Sequence, residues 1–472
     1  MSLKDGPTEN PWRTLIWPLA RDSQALYHAI SSMTAFHMSQ ERPELRMEGI
    51  EHMRKSVRLL SQGFAHGNIL PDAALGTTLV LAFSEAFDRH ISTGIAHLRG
   101  ARVLLSTAIP TVMSSIDPAN LNADSFRRLQ FLHNVWVYLD VLARLTSDAD
   151  EGGSPTITYQ PLVPSLEVDP LLGCAATLFP LIGQAACIVQ RVRAAPANSA
   201  AIITAAMDLR GALEAWAPER YYQPIEDPTS DVEHCVGTAE AYRWATLLYL
   251  RQAVPELRMP SAHALADRVM RLIAAIPHES RTCIVHIFPL LAAGCEADGA
   301  EERGWVRNRW AVMSSRMWIG NVDRAWEVVQ EVWRRRDAFR ERRRSPPRSA
   351  EGSPRDTIYG SPLGSDFEFQ LPAKRRFPDA AGVEDILSWD LGVFESGLEC
   401  PKGRLGDHSL AGRPYLEMTP GARSSPGSDI LHEHKKGDYE YEVSIKGKLH
   451  WLGVMKDWGW EGTYYCGGGV SA

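Results

Sequence analysis

Between Arg334 and Arg348 the chain carries eight arginines: Arg334, Arg335, Arg336, Arg340, Arg342, Arg343, Arg344 and Arg348. Cations at this density suit two tasks. They can form a basic cluster that a nuclear-import receptor or a nucleic acid reads. They can equally close a helix, whose C-terminal carbonyls favour positive charge, and lead into a solvated linker. The sequence leaves both open. Lys374-Arg375-Arg376 is a second, weaker cluster. Residues suited to covalent or metal chemistry are sparser. Cys283 and His286 lie three apart on an expected helix, but their context is apolar and offers no third orienting group, which predicts a core pair rather than a nucleophile. His28, His37, His52, His90, His97 and His133 are spread over several expected helices and share no ligand spacing. Asp148, Asp150 and Glu151 sit in a Gly/Ser loop without the spacing of a calcium site, and His432-Glu433-His434 is too short a signal to use. Phosphate-loop, dinucleotide, nucleophile-elbow and zinc-protease motifs are missing. So is the Asp-rich metal motif of helical terpene cyclases. No catalytic residue, metal ligand or cofactor is expected in this chain.

The elements that would position these residues are helical. Leu26, Ile30 and Met33 recur at helical spacing, as do Ile50, Met53, Val57 and Leu60. Pro71 and Asp72 mark a helix start. Leu79–Phe87 is almost wholly apolar. The next helix centres on Gly100-Ala101, where Gly costs roughly 1 kcal/mol relative to Ala and is explained by a neighbouring helix packing closely. Phe126, Leu129, Leu132, Val135, Trp136, Leu139 and Leu142 make a long stripe, and Leu209, Leu213 and Trp216 another. Residues 239–251 are apolar on nearly all sides, which predicts a central helix. Val322, Ala325, Val329 and Val332, flanked by Trp326 and Trp333, define a last strong helix. Strand alternation is hard to find, and loops are expected around 110–122, 147–170 and 217–236. The expected fold is all-α, a multi-helix domain over 10–340 with ten or more helices. Beyond it, 341–448 is rich in Gly, Pro, Ser and charge and is expected to be a long disordered insertion near the C-terminus. At 449–466 order is expected to return, because Trp451, Val454, Met455 and Trp458 form one apolar helix face that needs the main core to cover it.

Composition narrows the class. Fifty basic against 57 acidic residues give a net charge of −7, far from the strongly basic balance of a nucleic-acid-binding chain. Seven scattered cysteines without a Cys-x-x-Cys pair suit a reducing compartment and no zinc site. No apolar run reaches membrane-spanning length and the N-terminus lacks a secretory pattern, so an intracellular chain without a membrane partner is expected.

Several blocks, in order, resemble the fungal-specific transcription factor domain, the regulatory part of binuclear-zinc-cluster (Zn2Cys6) factors of the arginine-metabolism-regulator type. They are Asn10-Pro-Trp-Arg13 with Ala25–Ile30, His97-Leu-Arg-Gly-Ala101, Tyr138–Thr146, and Ala239–Leu250. The most specific is Phe288–Ala297 with Arg303 and Arg309 behind it, followed by Glu331-Val-Trp-Arg-Arg-Arg-Asp337. The resemblance implies a non-enzymatic regulator of RNA polymerase II transcription in a fungal nucleus. Its implied partners are coregulator proteins or a second copy of the chain. DNA contact, and zinc as a cofactor, would come only through an N-terminal zinc-cluster module. That module is not recognisable here, since no cysteine precedes Cys174. Trp451–Trp460 is similar to the short helix that ends such domains, but stands more than a hundred residues late. Residues 345–448 would then be inserted, as a disordered loop or as translated intron. The competing readings are a helical enzyme with a dispersed active site and a protein-binding scaffold unrelated to transcription.

Overall fold

Helical periodicity this sustained leaves little choice of architecture, and a computed structural model of the chain is all-α. It describes residues 2–39, 41–88, 94–115, 124–147, 159–317, 319–344, 439 and 441–460. Among them are fourteen α-helices, no strand, and one isolated antiparallel bridge between Asp169 and Gly173. No helix among the described residues is long and apolar enough to cross a membrane. The chain divides into two units, Met1–Arg336 with Met418–Ala472, and Asp337–Glu417.

The first unit begins with a strap. Leu3 is buried and donates its amide to Pro170 O at 2.7 Å, so residues 2–9 join the body ahead of its expected start at residue 10. A wide helical turn at Trp12–Ile16 leads into α1 (Trp17–Asp22). Helices α2 (Gln24–Met38) and α3 (Leu45–His66) form a close hairpin, with Ser32 Oγ bonded to Gly49 O at 2.9 Å and Ser56 Oγ to Ala25 O at 2.8 Å. A Cβ at Gly49 would stand 2.7 Å from the Phe36 ring, so only glycine permits this approach. Helix α4 (Pro71–Phe87) is buried along nearly its whole length, as an all-round apolar helix must be. It packs against α2, α5 (Ile95–Ser115) and α6 (Asp124–Thr146). Gly100 and Ala101 of α5 are buried, and the Trp136 indole N–H of α6 reaches Leu98 O at 3.3 Å, so the small pair lies where helices pack.

Helix α5 differs from expectation. It runs through Pro110 to Ser115, where a loop from 110 was expected. A mid-helix proline forfeits one backbone bond, but Ala108, Ile109 and Val112 pack on the core and hold the turn together.

The remaining helices of this unit are α7 (Phe179–Ala194), α8 (Ala200–Ala215), α9 (Val232–Ala253), α10 (Ala262–Ala274), α11 (Ile287–Gly294), α12 (Gly299–Arg316), most of α13 (Gly320–Arg344) and α14 (Trp451–Trp458). Helix α9 is central, touching α7, α8, α10 and α11. Of the second unit the described residues are 337–344, the last two turns of α13. The edges of the expected 341–448 insertion therefore move. Residues 341–344 are helical, as are 441–442, and 443–448 form turns and bends in which Ile445 is buried, because its side chain finds the core and its N–H finds Gln252 O. Residues 345–438 lie outside the described residues, and with them Arg348, Lys374–Arg376 and His432–His434, as do His90, Asp148–Glu151 and 461–466.

Candidate functional site

Helix periodicity sorts the arginine run into three environments. Arg336 falls seven residues after Val329, four after Val332 and three after Trp333, on the buried stripe of α13. Its guanidinium is spread over three acceptors from separate segments. Nη2 pairs with Glu296 Oε1 at 2.7 Å, Nη1 donates to Cys295 O at 2.9 Å, and Nε donates to Leu449 O at 3.1 Å. Burial alone works against the Arg336 charge, and the Glu296 carboxylate more than restores it, so the group stays a cation.

The network continues inward. Gln252 Nε2 donates to the same Glu296 oxygen at 2.9 Å, which leaves Gln252 Oε1 to accept from His450 Nε2 at 3.1 Å. His450 Nδ1 caps α14 by accepting from Leu452 N at 3.1 Å. The imidazole is thereby fixed as the neutral Nε2–H tautomer. Burial, with Arg336 and Arg193 behind it, pushes its pKa well below the ordinary value. Tyr249 stacks on Trp451 with ring centroids 5.3 Å apart, and Trp333 Nε1 donates to Gly294 O at 2.8 Å. The block Phe288–Ala297 and the displaced Trp451 helix thus meet around one arginine.

Arg334 and Arg335 share Glu331, at 2.6 and 2.8 Å. Those two bonds hold the Glu331 carboxyl below its usual range although burial opposes this. Arg335 also reaches Asp457 Oδ2 at 2.7 Å and Lys448 O at 3.0 Å, clamping the C-terminal segment from outside. In the second unit, Arg340 lies 3.9 Å from Asp337, Arg342 Nε donates to Ala338 O, and Arg343 lies over the Phe339 ring. Arg342, Arg343 and Arg344 are exposed at the end of the helix.

Groups suited to covalent chemistry occupy structural positions. Cys283 lies on a single tight turn, Arg281–Val285, and His286 begins α11. Thr238 Oγ1 spends its proton on His234 O at 2.8 Å and so accepts from His286 Nε2 at 2.9 Å. His286 Nδ1 is buried without a partner. A second proton would have no acceptor there, and burial, then Arg309, lowers the His286 pKa to about 3. Burial raises the Cys283 thiol, and Arg309 only partly opposes it. Arg309 itself is buried, bonded to Ile273 O, Ile276 O and His278 Nδ1. An imidazole that resists protonation beside a thiol that resists ionisation is no nucleophile–base pair.

Of the scattered histidines, His28 and His52 meet, Nδ1 to Nδ1 at 2.8 Å, and His97 lies 3.2 Å from Glu85. Among the described residues no three His, Cys, Asp or Glu side chains are grouped to hold a metal. The Glu296–Gln252–His450 set around Arg336 has one mark in the sequence, the place of Arg336 on the Val329–Trp333 stripe, and is absent from the expected site residues.

The described body is all-α, with Arg335 and Arg336 built into the docking of its helices. The chain belongs to the fungal specific transcription factor domain family, whose profile matches residues 1–350. That family places it in the regulation of transcription. It is similar to the acriflavine sensitivity control protein acr-2 of Neurospora crassa, with 31% identity over 119 residues, or 23% of this chain. The match takes in 20% of that relative's length. No solved structure matches the chain.

Proposed function

We propose that this chain acts in the fungal nucleus as the non-catalytic regulatory part of a zinc-cluster transcription factor, changing RNA polymerase II output through protein contacts. DNA is reached through a separate zinc-cluster module. Coregulators or a second copy of the chain contact the helical body. The observation that carries this reading is the family match across the helical body to the end of α13. The exposed arginines Arg342, Arg343 and Arg344, with Arg340 and Arg348, serve nuclear import, whereas Arg334, Arg335 and Arg336 are engaged by Glu331, Asp457 and Glu296.

The test is a fusion of the full chain to a heterologous zinc-cluster DNA-binding module, assayed on a polymerase II reporter. The expected result is severalfold higher or lower output than the module alone at equal protein level. Unchanged output from a folded, nuclear fusion contradicts the proposal. For import, a tagged chain with Arg342, Arg343 and Arg344 all changed to Ala is expected to redistribute to the cytoplasm. An unchanged nuclear fraction removes these residues from that role.

A further inference from the structure

Three polar contacts join α2 to α3 in antiparallel order. Ser56 Oγ reaches Ala25 O, His28 Nδ1 faces His52 Nδ1 at 2.8 Å, and Ser32 Oγ reaches Gly49 O. The outer two are hydroxyl-to-carbonyl bonds, and neither group titrates where histidine does. The middle one is different in kind. Two imidazole nitrogens at that distance share one proton: one donates, and the other must offer a lone pair. A neutral pair meets this condition, and so does a pair carrying one extra proton. With both rings protonated, the two facing atoms are both donors and the contact turns repulsive.

The surroundings decide which ring is charged last. The other ring nitrogen of His52, Nε2, lies 3.8 Å from Glu48 Oε1, so a cation on His52 has a carboxylate near it. His28 is buried, and the charged groups placed around it are cations. Lys55 and His52 act on it from α3. Arg21 of α1 lines the same cleft of about 500 Å³ as His28, Lys55, Trp17 and Tyr27, whereas Asp22 does not. Helix α4, also packed on α2, commits its two carboxylates elsewhere, Asp72 to Arg128 and Glu85 to His97. Burial, then Lys55, then His52 lower the His28 pKa. A charged His28 therefore loses its acceptor and finds no carboxylate in the cleft it lines.

We infer that His28 and His52 form a proton-operated clasp between α2 and α3, closed while the pair holds at most one extra proton and opened when both rings are charged. A histidine whose folded pKa lies below its unfolded one contributes stability that is present above the unfolded value and lost as pH falls below it. Acid therefore opens the clasp. The inference stands apart from the transcription reading, which the measurements below do not touch.

The test is hydrogen–deuterium exchange of the full chain at pH 7.5 and 5.0, corrected for the intrinsic exchange rate at each pH, with α9 as internal reference. In the wild type, protection of residues 25–32 and 49–56 relative to α9 is expected to fall about fivefold or more on acidification. His52→Gln discriminates, because a neutral amide can turn its oxygen to a protonated His28 and keep the clasp closed in acid. Its acid loss of relative protection is expected to stay under about twofold, and its His28 pKa, read by imidazole NMR titration, is expected to rise. Should His52→Gln not fold, His28→Gln offers the same amide to a protonated His52 and is expected to show the same insensitivity to pH. Equal relative protection of the wild type at both pH values overturns the proposal. So does an acid loss in the folded variant equal to that of the wild type.

Discussion

The two ends of the body use cations in opposite ways. At the C-terminal end Arg336 is enclosed, and each of its donors points at an acceptor from a different segment: the Glu296 carboxylate, the Cys295 carbonyl and the Leu449 carbonyl. At the N-terminal end Arg21 and Lys55 line one cleft, and among the described residues neither has an acidic partner. Residue type does not separate the two cases; desolvation and partners do. A desolvated, fully bonded cation fixes where chain segments sit. A solvated, unpaired one leaves its charge for something else to meet.

The largest effect is expected from breaking the enclosed case. Arg336→Met leaves the Glu296 charge buried, with only the Gln252 amide for company, and strips two carbonyls of their donor. Removing one partner of a buried pair costs about 3–5 kcal/mol, to be read from urea unfolding at pH 7. Adding Glu296→Leu to Arg336→Met is expected to recover part of that loss. A loss under about 1 kcal/mol for Arg336→Met would place the guanidinium in the same solvated class as Arg21.

Next in size is acid sensitivity. The folded His286 pKa, about 3, lies below its unfolded value. On acidification the unfolded chain takes up this proton and the folded one does not. Stability contributed by the neutral group is therefore present above the unfolded pKa and drains away as pH falls from there towards 3. One such group steepens the loss by up to about 1.4 kcal/mol per pH unit. His286→Gln is expected to flatten the stability profile between pH 6 and 4 by that amount. An unchanged slope would mean that His286 protonates within the folded chain.

Arg335 is intermediate, half-buried between Glu331 and Asp457. Arg335→Ala is expected to cost about 1 kcal/mol, near the upper end for partly exposed pairs, with faster proteolysis near 448–457. The smallest effect belongs to the open end. Lys55→Met is expected to change stability by less than about 0.5 kcal/mol. It should nevertheless raise the His28 pKa towards the ordinary histidine value, since Lys55 is one of the groups holding it down. Imidazole NMR titration reads this directly. A fixed His28 pKa would show that Lys55 does not charge the cleft.

Much of this arrangement was legible in the sequence because helices announce themselves by period. The apolar run of α4, the small pair Gly100-Ala101, the all-round burial of α9 and the Trp451–Trp458 face each carry a local signal. What escaped was settled by tertiary contact. Helix α5 passes Pro110 because Ile109 and Val112 reach the core. Residues 2–9 join the body because Leu3 finds a buried place and Pro170 O. Arg336 reads like its neighbours until the helix is turned by period, which puts it beside Val332 and Trp333 while Arg334 faces water. That Arg21 and Lys55 line one cleft, from α1 and α3, has no local sequence mark at all.

Hydrogen–deuterium exchange of the full chain tests most directly whether the two ends use their cations differently. Residues 445–458 should be protected in the wild type. Arg336→Met is expected to raise exchange selectively there and near Gln252, while Arg21→Glu/Lys55→Glu leaves that region unchanged. If 445–458 keeps its protection in Arg336→Met, or loses it equally in the N-terminal variant, the enclosed arginine does not fix the C-terminal segment and the distinction fails.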